Sequence, residues 1–162
     1  DHQPDSVLEL INSGRIDTVQ VIYNIFDQSP EDKLFPLCLK KQVGVIARVP
    51  FDEGALTGSI TPQTSFPKKD WRNFYFKENR KNQVFDRVVS LKNLLGEEAE
   101  TLAALALKFC LYHPAVSTVI PGMRSVDHVE SNLAVADQAP FSKNMIERLR
   151  THRWEKNFYL PS

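Results

Sequence analysis

Apolar residues follow two different patterns along this chain. In three short stretches, residues 17–26, 43–49 and 117–120, they are nearly continuous and rich in β-branched side chains, which predicts strands. Between these stretches apolar residues recur every three or four positions, which predicts amphipathic helices. The helices are expected over residues 6–13, 29–41, 83–95, 98–112 and 125–136, and after Ser142. The order α-β-α-β-α-α-β-α-α implies a parallel sheet with right-handed crossovers.

Two serines are predicted to begin helices. Ser6 and Glu9 have the spacing of a capping box. Ser29 precedes Pro30 and two acidic residues, which is the pattern of an N-cap followed by proline at the first helical position. Because the chain opens directly before the first of these helices, we expect the sequence to be a fragment that begins part-way through a fold.

Residues 51–80 show no clear period and are predicted to form a long loop. A loop of this length inside a compact domain is usually functional or disordered. Its aromatic residues offer apolar surface to bury, and they therefore favour an ordered segment.

Composition and charge narrow the function classes. The 162 residues carry a net charge of +0, so the chain has no global field that attracts nucleic acid or membrane, and an anion site must be local. No apolar run approaches the ~20 residues that span a bilayer. Cys38 and Cys110 lie within apolar helical patterns, which favours reduced core thiols and a cytoplasmic location.

The stretch STVIPGMRSVDHVESN, residues 117–132, points to a ligand class. A buried strand passes directly into a helix N-terminus, with Gly122, Arg124 and Ser125 at the junction and His128 one turn later. Free amides and the positive end of the helix dipole favour an anion there, and a glycine lets the anion approach the backbone. The sequence therefore predicts a phosphate-binding turn.

Three motifs in order resemble the second half of an aldo/keto reductase: VQVIYNIF, VIARVPFDEGALTG, and LALKFCLYHPAVST followed by VIPGMRSVDHVESNL. The resemblance runs from about residue 5 to residue 157. It implies an α/β fold, a partial (β/α)8 TIM barrel whose sixth, seventh and eighth strands lie here, with parallel strands covered by helices. A full barrel takes about 250 residues, so the N-terminal strands are expected to be absent from this chain.

The resemblance also implies a domain organisation and places the family's catalytic residues outside this chain. Residues 1–162 would form a single domain, the C-terminal part of the barrel, with a long loop at 51–80 and a C-terminal tail at 151–162. In the family the catalytic tyrosine, lysine, aspartate and histidine lie on the first four strands and their loops. None of the chain's tyrosines lies in a matching motif, so no catalytic residue is assigned.

The cofactor implied by the resemblance is NADP. Gln20 would hydrogen-bond the nicotinamide carboxamide, and Arg48 stands where many relatives have an aromatic side chain that stacks on the nicotinamide. A planar guanidinium can stack in the same way. The loop after Arg48 would cover the pyrophosphate, and the segment after the third strand would bind the adenine and the 2′-phosphate; spacing places 124, 128, 131 and 132 on one helical face. The cofactor-binding set is Gln20, Arg48, Val49, Pro50, Phe51, Gly54, Leu56, Gly122, Met123, Arg124, His128, Ser131 and Asn132.

Each residue also has a structural interpretation, which stays open. The helix at 125–136 could be a capped surface helix, Gln20 a satisfied strand amide, Arg48 a salt-bridge partner, and residues 50–56 a structural turn. Loop and tail aromatics could line a substrate pocket or pack on the barrel exterior: Trp71, Phe74, Phe76, Phe158 and Tyr159.

The resemblance implies an NADP(H)-dependent oxidoreductase that reduces a carbonyl by hydride transfer, with this chain supplying the cofactor-binding half and inactive alone. The alternative is a catalytically incomplete nucleotide-binding regulatory or interaction module of the same fold. The expected partner is a small-molecule carbonyl substrate, with neither nucleic acid nor membrane. The four histidines lack metal-ligand spacing, so no metal is expected.

Overall fold

Three parallel strands form the centre of the computed structural model, which describes residues 3–96, 98–154 and 156–159. They lie side by side in the order β1 (Thr18–Ile22), β2 (Gly44–Arg48) and β3 (Val116–Ile120). The predicted strands and their parallel arrangement are confirmed, although β1 and β2 are shorter than predicted.

Helices connect and flank the strands in the predicted alternating order. None of the helices in the described part of the chain is long and apolar enough to cross a membrane. The α-helices are α1 (Leu8–Asn12), α2 (Leu34–Lys41), α3 (Arg72–Tyr75), α4 (Arg80–Lys92), α5 (Leu102–Tyr112), α6 (Val126–Ala134) and α7 (Lys143–Arg150). Short 3₁₀ turns occupy Pro4–Val7, Ser29–Glu31, Asp52–Thr57 and Val135–Asp137.

One face of the sheet packs on the helices and the other is more open. In β1, Val19 and Val21 are buried, whereas Gln20 between them is exposed. In β2, Val45 and Ala47 are fully buried. Because successive side chains point to opposite faces of a strand, the buried valines of β1 lie on the face that packs on the helices and Gln20 lies on the other.

The core behind the sheet is apolar and rich in aromatic side chains. Tyr23 packs edge-on against Phe35, with ring centroids 4.8 Å apart, and stacks on Phe109 at 5.4 Å. Cys38 and Cys110 are both buried free thiols in this layer, as predicted. Burial raises the pKa of both thiols and keeps them protonated.

Two serines, Ser125 and Ser142, cap helices, and neither is one of the two serines predicted to do so. Ser125 and Ser142 cap α6 and α7 by accepting hydrogen bonds from the amides of His128 and Met145. The predicted capping box at Ser6 is wrong, because Pro4 begins a 3₁₀ turn that contains Ser6, whose hydroxyl donates to the Gln3 carbonyl.

The second predicted cap, at Ser29, is wrong for a related reason. Ser29 lies inside the 3₁₀ turn Ser29–Glu31, which has no side-chain cap, and α2 starts only at Leu34. The Ser29 hydroxyl donates instead to the Asp27 carboxylate at 2.7 Å. The Asp27 side chain, just before the turn, thus accepts the hydrogen bond of the Ser29 hydroxyl, which therefore does not cap a helix.

The segment predicted as a long loop contains two short helical pieces, Asp52–Thr57 and α3. Each piece is too short for a 3.6-residue period to show in the sequence. The aromatics are ordered, as expected: Tyr75 and Phe76 are buried, and Phe76 stacks on Phe66 with centroids 5.8 Å apart.

Candidate cofactor-binding site

The loops that follow β2 and β3 enclose a cleft of about 440 Å³, called the main cleft below. It lies beyond the carboxyl ends of two adjacent parallel strands, which is where α/β folds bind ligands. The residues that line it are Val49, Pro50, Phe51, Glu53, Gly54, Thr57, Ser59, Arg72, Ile120, Gly122, Arg124 and His128.

One wall of the main cleft is the turn from β3 into α6. Ser125 has extended backbone and accepts the His128 amide at 3.2 Å, which fixes the start of the helix. The first amides of a helix have no carbonyl partner within the helix, and they carry its positive dipole end. A Cβ placed on Gly122 would meet nothing within 4 Å, so an anion can approach this backbone.

Two positively charged or hydrogen-bonding side chains project from this wall. Arg124 precedes α6 and His128 lies in its first turn, and both are exposed and line the main cleft. Arg124 is therefore not on the helical face that spacing suggested, because α6 begins at Val126. The acidic Asp127 also lies in the first helical turn, where it competes with an anion for the dipole.

The opposite wall is the loop after β2, which has an unusual backbone. Val49, Asp52 and Glu53 have φ values of 55°, 48° and 57°, and Gly54 has 100°. The left-handed region is costly for side chains other than glycine, above all for a β-branched one. A Cβ on Gly54 would also meet nothing within 4 Å. Left-handed residues of this kind concentrate at ligand-binding sites, where surrounding contacts must hold them in place.

A buried asparagine contributes one of those contacts. Asn24, which follows β1, donates from Nδ2 to the Val49 carbonyl at 3.0 Å. Its Oδ1 accepts the backbone amides of Phe26 and Asp27, both at 3.0 Å. Asn24 therefore joins the end of β1 to the cleft-lining loop, a role that its sequence position did not reveal.

A second arginine faces the main cleft from α3. The Arg72 guanidinium binds Asp70 through two hydrogen bonds of 3.0 and 2.7 Å and lies 4.6 Å from the Phe66 ring centroid. These hydrogen bonds from Arg72 lower the pKa of Asp70 to about 2, and the charge of Arg124 adds to the effect. The Arg72 guanidinium is thereby held in one orientation at the rim of the main cleft.

Gln20 and Arg48 share a different, smaller cleft of about 160 Å³ between β1 and the 3₁₀ turn Pro4–Val7. Arg48 pairs with Ile22 on one side and Ile120 on the other, at the carboxyl end of the sheet. Gln20 lies two residues before Ile22, so the two side chains are on the same face of β1, where Gln20 is exposed and Ile22 is buried. Burial raises the pKa of the Tyr159 hydroxyl, and the positive charge of Arg48 partly offsets that increase.

Besides Gln20 and Arg48, four residues of the predicted set do not line the main cleft. Leu56 is fully buried beneath the loop, where its role is packing. Met123 is exposed, Ser131 donates to the His128 carbonyl, and Asn132 donates to the Gly122 carbonyl at 3.5 Å. The Asn132 hydrogen bond joins α6 to the β3–α6 turn, whereas that of Ser131 lies within α6.

The aromatic candidates for a substrate pocket pack against other side chains, and the histidines form no metal site among the described residues. Phe76 and Phe158 are buried, and Trp71 stacks on Tyr159 with centroids 5.5 Å apart. His113 and His152 are half-buried, and His2 lies outside the described residues. No group of three metal-ligating side chains occurs among residues 3–96, 98–154 and 156–159.

A sequence model of the aldo/keto reductase family matches residues 6–153. This chain belongs to the aldo/keto reductase family. The family is one of oxidoreductases, and its barrel accounts for the parallel strands and for the position of the main cleft. The fold expected from the sequence is thereby confirmed.

Curated relatives match most of this chain. It is 26% identical over 152 residues to an uncharacterized oxidoreductase, YqkF, of Bacillus subtilis, covering 93% of this chain and 47% of that protein. It is 28% identical over 134 residues to an NADH-specific methylglyoxal reductase of Escherichia coli, covering 80% and 40%. The chain thus spans less than half the length of these aldo/keto reductase relatives.

A solved aldo/keto reductase gives the same picture in three dimensions. The holo form of AKR11C1 from Bacillus halodurans aligns with a TM-score of 0.68 at 25% identity, over 98% of this chain and 51% of that one. The described strands and helices therefore correspond to about half of an aldo/keto reductase barrel.

The sequence did not single out several polar residues of the main cleft. The Thr57 hydroxyl donates to the Ser59 hydroxyl at 2.9 Å, and Glu53 accepts from Tyr159 and Trp71. Arg72 lies in a segment without periodicity, and its only local signal is Asp70 two residues earlier. Their positions depend on how the loop folds back over β2, which no short motif encodes.

Proposed function

We propose that this chain supplies the cofactor-binding half of an NADP(H)-dependent aldo/keto reductase that reduces a small-molecule carbonyl compound. The observation that carries the proposal is the main cleft, which brings the β3–α6 turn against the left-handed loop after β2. Seven residues of the implied set meet there: Val49, Pro50, Phe51, Gly54, Gly122, Arg124 and His128.

The surfaces of the main cleft fit an extended dinucleotide with phosphates at two places. Arg124 and His128 offer a forked cation and a ring nitrogen to a terminal 2′-phosphate. The loop from Pro50 to Gly54 presents backbone to a pyrophosphate, since a Cβ on Gly54 would point into open space. Arg72 adds a second guanidinium at the rim of the main cleft.

The nicotinamide end is assigned to the smaller cleft. Gln20 offers an amide to the carboxamide, and Arg48 offers a guanidinium plane to the ring, at the carboxyl end of β2. The bound nicotinamide supplies the hydride, which is chemistry of the cofactor. This chain's residues bind and orient the cofactor, and the group that protonates the carbonyl oxygen is expected on strands that precede β1 in the family's barrel.

Nucleotide preference gives the proposal its sharpest test. The Escherichia coli relative is named as NADH-specific, so the choice between the two nucleotides is a property to measure for this chain. Arg124→Met should raise the dissociation constant for NADPH by about tenfold or more, because a charge-assisted bond to the phosphate is lost. Its affinity for NADH should not change.

The measurement is nucleotide titration of the full-length natural protein, with Arg15→Met as the control for loss of an exposed arginine far from the main cleft. If wild-type protein binds NADPH no more tightly than NADH, the assignment of Arg124 is wrong. Nucleotide binding without reduction of any carbonyl compound would favour the regulatory module over the enzyme.

A further inference from the structure

A buried ion pair lies directly behind the main cleft. The Lys156 ammonium in the C-terminal tail donates to both carboxylate oxygens of Asp52, at 2.7 and 3.0 Å. The Tyr75 hydroxyl donates to the same Asp52 carboxylate at 2.7 Å, and Lys156 also donates to the Tyr75 oxygen at 2.9 Å. The side chains of Lys156 and Asp52 are only 7% and 4% exposed. We call these three residues the Asp52 network.

Aromatic rings enclose the ammonium group of this network. The Lys156 nitrogen lies 4.6 Å from the ring centroid of Phe158 and 5.2 Å from those of Tyr75 and Trp154. Ring faces attract a cation, and they exclude water from it. Burial and the charge of Asp52 raise the pKa of the Tyr75 hydroxyl, so this hydroxyl stays protonated and remains a donor.

The carboxylate of this network belongs to the most unusual part of the cleft-lining loop. Asp52 and Glu53 are consecutive left-handed residues, directly before Gly54. The tail holds the second acid as well, because the Tyr159 hydroxyl donates to Glu53 at 3.0 Å. Glu53 and Gly54 line the main cleft, whereas Asp52 points away into the protein.

We propose that Asp52, Tyr75 and Lys156 are positioning residues that hold the loop after β2 in its cleft-lining conformation, and so make nucleotide affinity depend on the C-terminal tail. The inference rests on the proposed function for its effect on nucleotide binding. Its effect on the loop itself does not depend on any ligand.

The physical case rests on what buried ion pairs do. Such a pair is weak evidence for net stability, since desolvation offsets most of the attraction, but a conformation that separates the partners leaves a buried charge uncompensated and is strongly disfavoured. Here the partners are a strained loop, α3 and the tail, with Lys156 lying 104 residues after Asp52. A loop whose φ values are unfavourable needs fixed contacts of this kind.

The chain contains a second network that serves as a control. Tyr23 donates to Glu31 at 2.6 Å, and Glu31 binds Arg150 at 3.0 Å, so a tyrosine and a cation again share one carboxylate, although the Arg150 side chain is 49% exposed. Tyr23 and Tyr75 are both 1% exposed. None of the residues of this second network lines the main cleft.

The experiment compares Asp52→Asn/Lys156→Met with Glu31→Gln/Arg150→Met, and Tyr75→Phe with Tyr23→Phe, in the full-length natural protein. Each double variant removes both charges together, so neither is left buried without its partner. Two quantities are measured: hydrogen exchange of the amides of Asp52, Gly54 and Leu56, which bond to carbonyls within the loop, and the dissociation constant for NADPH.

We expect exchange of the loop amides to rise by about tenfold in the Asp52 variants, and the NADPH dissociation constant to rise by about tenfold with kcat unchanged at saturating nucleotide. Both control variants should leave both quantities unchanged. Lys156→Arg, which keeps a cation among the rings, should bind NADPH within about twofold of wild type.

The outcomes separate the two proposals. Unchanged loop exchange in Asp52→Asn/Lys156→Met overturns the positioning role, whether or not nucleotide binds. Faster loop exchange in a protein whose wild type binds neither NADPH nor NADH supports control of the loop and refutes the proposed function. If the control variants changed loop exchange and NADPH affinity equally, the Asp52 network would have no special role at the loop, which would contradict the inference.

Discussion

The two walls of the main cleft are held in place in different ways. The β3–α6 turn depends on near neighbours, since Ser125 accepts the amide of His128 three residues later. The loop after β2 depends on distant ones: Asn24 lies 25 residues before the carbonyl it binds, and Lys156 lies 104 residues after Asp52. The turn can therefore form from its own segment, whereas the loop adopts its conformation only when distant segments of the domain have folded around it.

Breaking the long-range wall should have the largest effect. Lys156→Met leaves the Asp52 carboxylate buried without its cation, so the free energy of unfolding should fall by about 3–5 kcal/mol. Adding Asp52→Asn should restore most of that loss, because no buried charge then remains unpaired. Chemical denaturation measures both changes.

The control for this prediction is Lys33→Met, which breaks the exposed ion pair between Lys33 and Asp5. Exposed pairs contribute little to stability because water and salt screen them. If Lys33→Met and Lys156→Met changed the free energy of unfolding equally, the distinction between the two environments would be refuted.

The two cleft glycines should respond differently to alanine. Gly54 has a φ of 100°, so Gly54→Ala should lower the free energy of unfolding by about 1–2 kcal/mol through backbone strain. Gly122 does not have a positive φ, and its Cβ would meet open space, so Gly122→Ala should leave stability unchanged.

Nucleotide titration of the same two variants sharpens the comparison. The added methyl at residue 122 should weaken NADPH binding by hindering approach to the backbone. An unfolding free energy that falls equally in both variants would show that their different backbones do not matter.

The short-range wall offers the smallest expected effect. Ser125→Ala removes the cap of α6 and should lower the free energy of unfolding by about 1 kcal/mol. Ser6→Ala should change it by less than about 0.5 kcal/mol, because Ser6 is not an N-cap in the folded protein. Thermal or denaturant unfolding measures both changes. Equal losses of unfolding free energy in the two variants would indicate that Ser6 does act as an N-cap.

The same division explains which features the sequence could predict. The strands, the starts of α6 and α7 and the turn from β3 into α6 all depend on residues within a few positions of one another, and their sequence patterns are visible. The wrong caps at Ser6 and Ser29 fall inside 3₁₀ turns, and the α-helices begin only later, at Leu8 and Leu34.

Contacts between distant segments could not be predicted in this way. The composition around Lys156 gives no hint that its ammonium is buried against Asp52, and Arg72 shows no period that would place it at the main cleft. Gln20 and Arg48 were expected at one end of the groove, and the sheet register does put them close together. Strand pairing places both residues at the smaller cleft.

The measurement that tests the central claim most directly is a crystal structure of the full-length natural protein with NADP⁺. The account predicts the 2′-phosphate at Arg124 and His128, and the pyrophosphate against the backbone of residues 50–54. A nucleotide bound elsewhere, or one whose 2′-phosphate lies away from Arg124, would contradict it.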